Sequence, residues 1–229
     1  MSRLVLKITL AVLIGFSANV LAEAPDPDPA RFAEAIETFE VWDTKNSFPE
    51  NGILFVGSSS IRFWPTASAF PGKPIINRGF GGSEISDVIH YHARVVTPYA
   101  PSTIFLYVGD NDIAGGKSAA QVFDDYKEFI ALVEAELPDT KVFFISIKPS
   151  VLRWDYWPTM QEANALVREY AARHPNLGFV DLASPLLGEN GKPKDVFIDD
   201  GLHLNEYGYQ LWQEALGPYL EQEEILAEY

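Results

Sequence analysis

The chain of 229 residues contains no cysteine. Disulfides, cysteine–zinc sites and thiol catalysis are thereby excluded. Basic residues are scarce: 17 Lys and Arg stand against 32 Asp and Glu, a net charge of −15. No basic cluster relieves that imbalance. A phosphate backbone would be repelled, so nucleic acid is not an expected partner. The acidic pairs Asp124-Asp125 and Asp199-Asp200 lack the spacing of a calcium loop. They read as solvated acids, and no metal or cofactor is expected. Long apolar runs are also missing. The longest near the start, Ile8 to Phe16, is too short for a membrane span.

That short run has a different meaning. Arg3 and Lys7 flank it, and Val20-Leu21-Ala22 supplies the small residues of a cleavage site. This is the secretory pattern, predicting a signal peptide over residues 1–22, with cleavage after Ala24 as the second choice. Its removal takes away two basic residues and no acid, so the net charge falls to −17. The mature protein is expected in the periplasm or secreted, without stable membrane insertion. Residues 23–30 include APDPDP, an extended linker in which each proline restricts its neighbour. Residues 31–229 suit one domain rich in Phe, Tyr and Trp, long enough to bury a core.

Within that domain strand-like and helix-like segments alternate. Phe32, Ile36 and Phe39 mark an amphipathic helix over Arg31–Trp42, with a structural role. Strands are predicted at Ile53–Val56, Pro74–Asn77, Thr103–Val108, Lys141–Ile147 and Leu177–Val180. Helices are predicted at Ile85–Val96, Val122–Leu137, Met160–Arg173 and Glu206–Leu216. Asn205 should cap the last, and Gly217-Pro218 should end or kink it. Apolar strands alternating with helices imply a parallel sheet covered on both faces. The expected fold is a single-domain, flavodoxin-like three-layer α/β/α sandwich, with five strands in the order 2-1-3-4-5. Ligands of such sheets bind beyond the carboxyl ends of the strands, at the switch between the first and third.

That rule points at two stretches together, Gly57–Ser60 and Gly109–Asp112. The run ILFVGSSSIRFW carries an apolar strand into three consecutive serines, Ser58, Ser59 and Ser60. A serine at such a turn is lifted off the sheet edge. Of the four histidines, His174 lies at a helix end, and His90 and His92 are two apart on one helix and face different ways. His203 differs, because it sits in a loop with Asp200 three residues before it. Asp200 could orient the imidazole while His203 accepts a serine proton, or Asp200 could simply cap a turn at Gly201. Gly82 and Asn111 each follow a strand and could donate to an oxyanion, though either could equally be a turn residue. The four stretches share the predicted crevice side.

The chain resembles the SGNH, or GDSL-type, serine hydrolases in four blocks that occur in order. They are Gly57-Ser58-Ser59, Asn77-Arg78-Gly79-Phe80-Gly81-Gly82, Gly109-Asp110-Asn111-Asp112 and Asp200-Gly201-Leu202-His203. The resemblance spans almost the whole mature chain and implies Ser59 as nucleophile, His203 as base and Asp200 as its orienting acid. It also implies an oxyanion hole from Ser59 N–H, Gly82 N–H and the Asn111 amide. One departure stands out: the family's Asp before the nucleophile is here Ser58.

The implied activity is an exported carboxylic-ester hydrolase acting through an acyl-enzyme, on a small-molecule or glycan ester. Acetylated carbohydrates, lysophospholipids and other short-acyl esters are the candidates, since no long apolar lid is visible. Trp64, after the nucleophile, and Trp154, Tyr156 and Trp157, after the fourth strand, could wall a substrate pocket or pack within loops. Two alternatives remain at this stage: a non-catalytic periplasmic binding protein on the same scaffold, and an acyltransferase to an envelope glycan.

Overall fold

The computed structural model describes residues 23–227. The predicted signal peptide lies outside the described residues. The described residues begin with a segment lacking regular structure and a turn of 3-10 helix at Pro29–Phe32, then α1 at Ala33–Asp43. There follow β1 at Ile53–Gly57, α2 at Ser59–Arg62, α3 at Thr66–Ala69, β2 at Ile75–Gly79, α4 at Ile85–His90 and α5 at His92–Val95. Next come β3 at Thr103–Tyr107, α6 at Asp110–Ala114, α7 at Ala119–Glu136 and β4 at Lys141–Ile145. The series closes with α8 at Trp157–Ala171, β5 at Leu177–Val180 and α9 at Glu206–Ala227.

The five strands form one parallel sheet in the order β2-β1-β3-β4-β5, as expected from the sequence. β1 pairs with β2 on one side and β3 on the other, so the chain reverses direction across the sheet at that point. β1 and β3 are buried throughout, which is why they read as unbroken apolar runs. Their side chains divide by parity. Leu54, Val56, Ile104 and Leu106 enter one apolar cluster, with α1, α4, α5, α7 and α8. Ile53, Phe55, Phe105 and Tyr107 enter the other, with α2, α3 and α9.

Two helices depart from their expected form. The segment Ile85–Val96 breaks at Tyr91, whose buried ring turns its hydroxyl to the Pro29 carbonyl at 2.9 Å. The break exposes His90 and buries His92 against Phe129. The last helix starts as expected, with Asn205 Oδ1 accepting the Gly208 N–H at 2.9 Å. It then runs through Pro218 to Ala227. An interior proline costs a helix about 3 kcal/mol. Here the turn that contains it carries Leu216 and Leu220, both fully enclosed in the second cluster, and their burial offsets that cost.

The Ala24–Pro29 stretch is held against the domain. Gln121 donates to the Ala24 carbonyl at 3.3 Å, and Arg31 pairs with buried Asp87 at 2.5 Å. Asp26 pairs with Lys117 at 2.6 Å. The Lys117 ammonium is buried and also meets Asp125 at 2.7 Å and Glu84 and Asp112 at 3.3 Å each. One cation thus serves four carboxylates from four segments. Burial pushes the Asp112 carboxyl up to about 7 despite that cation.

Removing the cation leaves buried carboxylates facing one another. Lys117→Met is expected to destabilise the protein by about 3–5 kcal/mol in urea unfolding. Asp26→Asn, at the exposed rim of the cluster, should cost about 1 kcal/mol or less.

Candidate active site

The first site residue is positioned by a glycine. Gly57 closes β1 with φ +138°, and a Cβ there would overlap the Tyr107 carbonyl. The chain can therefore leave the sheet in close contact with β3. Ser58 N–H donates to Tyr107 O at 3.0 Å, and α2 begins at Ser59. Gly79 does the same for the other side: a Cβ would collide with the backbone of Arg62, so β2 packs directly onto α2. Ser58 and Ser60 are buried, and Ser59 alone of the three serines is partly open to solvent.

Ser59 Oγ lies 2.9 Å from His203 Nε2, across 144 residues of sequence. His203 Nδ1 lies 2.6 Å from Asp200 Oδ2. Asp200 also accepts the N–H groups of Leu202 and His203, at 2.8 and 2.9 Å. Modest desolvation acts against the carboxylate, but the His203 ring and these two amides hold Asp200 down to about 2. It remains an acceptor at any pH where the domain is in use, so the His203 tautomer with Nδ1–H is favoured and Nε2 can take the serine proton. The Phe63 ring stands edge-on to the imidazole, with centroids 5.1 Å apart.

Two of the oxyanion candidates lie in turns bonded to each other. Gly82 adopts φ +88°, a conformation that favours glycine, and Asn111 lies in the first turn of α6. Asn111 Nδ2 donates to Ser83 O at 2.9 Å, which ties this amide to the turn carrying Gly82. Among the described residues neither Ser59 N–H nor Gly82 N–H has an acceptor. These two backbone donors and the second Asn111 amide hydrogen are free to face a developing charge.

The four aromatic residues predicted to wall a pocket are not brought together. Trp64 is 2 % exposed and packs on Phe55, Phe70, Tyr209 and Trp212 in the second cluster. Trp157 is 8 % exposed and belongs to the first cluster. Trp154 stacks on Trp157 beneath Lys192, and Tyr156 is exposed. Trp154 and Trp157 belong to or pack against the first apolar cluster, while Trp64, although mostly enclosed in the second, still lines the groove beside Arg62.

The same stretch instead supplies two cations that the sequence reading passed over. Arg153 donates to Asn111 Oδ1 at 2.9 Å and pairs with Asp110 at 3.2 Å, so it sets the orientation of the Asn111 amide. Lys148 is fully buried and donates to Leu202 O at 2.9 Å, with Asp110 3.9 Å away. It anchors the loop of Asp200 and His203 to the strand end. Burial brings the Lys148 ammonium down to about 8, partly opposed by Asp110. A Lys and an Arg directly after an apolar strand, on the crevice side, were the signal available in the sequence.

The model of the GDSL-like Lipase/Acylhydrolase family matches residues 59–211. No curated protein matches the chain. Among solved structures, a Streptococcus pneumonia protein provisionally described as a platelet activating factor is 26 % identical, with a TM-score of 0.70. The match covers 82 % of this chain and 99 % of that one. A GDSL-like lipase from Bacteroides thetaiotaomicron VPI-5482 is 21 % identical, with a TM-score of 0.70 over 86 % of this chain and 98 % of that one. A mutant of an acetyl-xylooligosaccharide esterase from Geobacillus Stearmophilus is 14 % identical, with a TM-score of 0.61 over 76 % and 95 %.

Lys148 generates a prediction with a definite sign. Its ammonium is present below about pH 8 and is lost as pH rises through that value. Fluorophosphonate modification of Ser59 should therefore slow above pH 8 in the wild type. Lys148→Met should react about 10-fold more slowly at pH 7 and show no step near 8. Unfolding should move the other way. Between about 8 and the ordinary lysine value of 10.5 the unfolded chain binds the extra proton, so native stability rises with pH there. A loss of reactivity that tracked unfolding would contradict this role.

Proposed function

Because the chain belongs to the GDSL-like lipase and acylhydrolase family, a family of ester-hydrolysing enzymes, we propose that it is an exported serine esterase of short-acyl substrates. The observation that carries the reading is the continuous hydrogen-bonded line from Ser59 through His203 to Asp200, at 2.9 and 2.6 Å. The hydroxyl of Ser59 donates its proton to His203 Nε2 as Oγ attacks the ester carbonyl. The carbonyl oxygen becomes an oxyanion facing the N–H groups of Ser59 and Gly82 and the Asn111 amide. His203 returns the proton to the leaving alcohol, and Asp200 stabilises the imidazolium meanwhile. Water, deprotonated by His203, then attacks the acyl-Ser59 ester; the acyl–Oγ bond breaks, His203 returns the proton to Ser59 Oγ, and the acid is released.

Acetylated carbohydrate is the favoured substrate class. A solved neighbour of the same fold is an acetyl-xylooligosaccharide esterase, and the chain has no long apolar lid of the kind a long acyl chain would need. Export follows from the predicted signal peptide over residues 1–22. It is tested by finding the mature chain, starting at Glu23, in the periplasmic or culture fraction.

The serine assignment has a direct test with 4-nitrophenyl acetate. Ser59→Ala should lose activity by about 10⁴-fold or more. Ser58→Ala and Ser60→Ala should retain most of it, and equal activity in all three would sink the assignment. In Gly82→Ala the added methyl group has room, its nearest neighbour being Phe32 at 4.0 Å. The positive φ nevertheless strains any other residue by about 1–2 kcal/mol. The variant should fold, with kcat reduced about 10²-fold and KM little altered as an oxyanion donor is displaced.

A further inference from the structure

Arginine 62 follows the nucleophile by one turn. Of the seven arginines among the described residues, Arg31, Arg78, Arg94, Arg153, Arg168 and Arg173 each pair with a carboxylate. Arg62 has no carboxylate partner among the described residues, in a chain where acids outnumber bases almost two to one. Its side chain is exposed, and its guanidinium carbon lies 5.8 Å from the Phe63 ring centroid.

Its backbone, by contrast, is clamped. Arg62 N–H donates to Ser58 O at 3.1 Å, and the Gly79 backbone packs against it with no room for a Cβ. Asn77 Nδ2 donates to the Ile61 and Trp64 carbonyls on either side, at 2.8 and 3.2 Å. The charge is thus presented from a fixed base beside Ser59.

Gly81 keeps the space between them open. Its φ is not positive, so its backbone makes no demand for glycine. A Cβ at this position would stand 3.4 Å from Arg62 Nη1 and 3.6 Å from the Ser59 Cβ. Any side chain there would fill the gap between guanidinium and nucleophile. On its other side Arg62 enters a groove of about 650 Å³ between α1 and the α2–α3 turn, walled by Phe39, Trp42, Pro65 and Phe80. Arg62 is the one charged residue lining it.

We propose that Arg62 is a specificity determinant that binds an anionic group, carboxylate or phosphate, on the alcohol part of the ester. The inference rests on the esterase reading for the position of the ester at Ser59. A guanidinium presents paired donors that match either anion. An acid-free groove leaves nothing to compete for them, while the acidic surface elsewhere discourages anions from binding at other points. The carboxylate source is an acetylated uronic acid, and the phosphate source an acylated glycerol phosphate.

The test uses two probes of one shape, 3-acetoxybenzoate and 3-acetoxybenzamide, bound to Ser59→Ala protein by calorimetry, so that turnover is not needed. The anion should bind about 10-fold more tightly. The double variant Ser59→Ala/Arg62→Gln should lose that preference, and Ser59→Ala/Arg62→Lys should keep part of it. Equal affinities in Ser59→Ala, a preference that survives Arg62→Gln, or no binding of either probe would overturn the inference. Wild-type turnover then separates the sources, with acetylated glucuronate against acetylated glucose and acetylglycerol phosphate against acetylglycerol. Preference for the anion in either pair supports the proposal, and in neither pair defeats it. Hydrolysis of the neutral benzamide by the wild type reports on the esterase reading alone, whatever Arg62 does.

Discussion

Everything at the site depends on how closely the chain passes Tyr107 as it leaves β1. The Ser58 N–H reaches the Tyr107 carbonyl, while the Gly57 carbonyl accepts Phe80 N–H at 2.8 Å. Two consecutive residues are therefore bonded to both neighbouring strands. The first bond holds the serine turn to the strand that leads into Gly109–Asn111, and the second holds it to the turn of Gly81 and Gly82. With no Cβ tolerated at Gly57, these distances cannot relax around a side chain. Strand order alone would bring the three turns to one edge of the sheet. This join sets them within hydrogen-bonding reach.

The fourth stretch has no strand to position it. Between β5 and α9 the chain makes a turn of 3-10 helix at Ser184–Leu186 and two isolated bridges, Leu187 with Pro193 and Phe197 with Leu204. Directional bonds from the core take over that task. Trp212 Nε1 donates to Leu182 O at 2.8 Å, Tyr209 donates to Ser60 O at 3.0 Å and Lys148 donates to Leu202 O. A buried ammonium is costly unless its protons are satisfied, so Lys148 has few positions open to it. The cost confers geometry. The carbonyl it holds belongs to the residue just before His203, and the same cation lies near Asp110, beside Asn111. The His203 loop and the Asn111 turn therefore share one electrostatic anchor, with Arg153 completing it.

The parallel sheet was legible because β1 and β3 are buried on both faces and so carry no polar alternation. The meeting of Ser59, His203 and Asp200 was legible for another reason: Ser59 closely follows β1, and Asp200 and His203 lie in the loop ahead of α9, where position follows from topology. Trp154 and Trp157 lie away from Trp64 because a ring near a crevice in sequence is equally near the core in space, whereas Trp64 both fills the core and lines the groove beside Arg62. Only the depth of the two apolar clusters settles which one claims it. Lys148, Arg153 and Arg62 gave no periodic signal. Their roles follow from partners 54 and 42 residues away, or from the lack of one, and pairings at that range are not written locally. The continuation of α9 past Pro218 was hidden in the same way, since the compensation lies in where Leu220 packs.

Ser58 stands where the sequence resemblance leads one to expect an Asp, and its surroundings suit a serine. Its side chain is fully enclosed, and its hydroxyl has no hydrogen-bond partner among the described residues. An unsatisfied hydroxyl costs about 1–3 kcal/mol, whereas an unpaired buried carboxylate costs several times more. The cations of the site are already engaged, Lys148 with Leu202 and Asp110, and Arg153 with Asn111 and Asp110, so neither is reserved for a carboxylate. Order in the loop comes instead from the backbone, through the Tyr107 and Phe80 bonds and the amide of Asn77 on the turn after Ile61. The nucleophile turn needs rigidity from its first position, and here that rigidity is supplied without a charge.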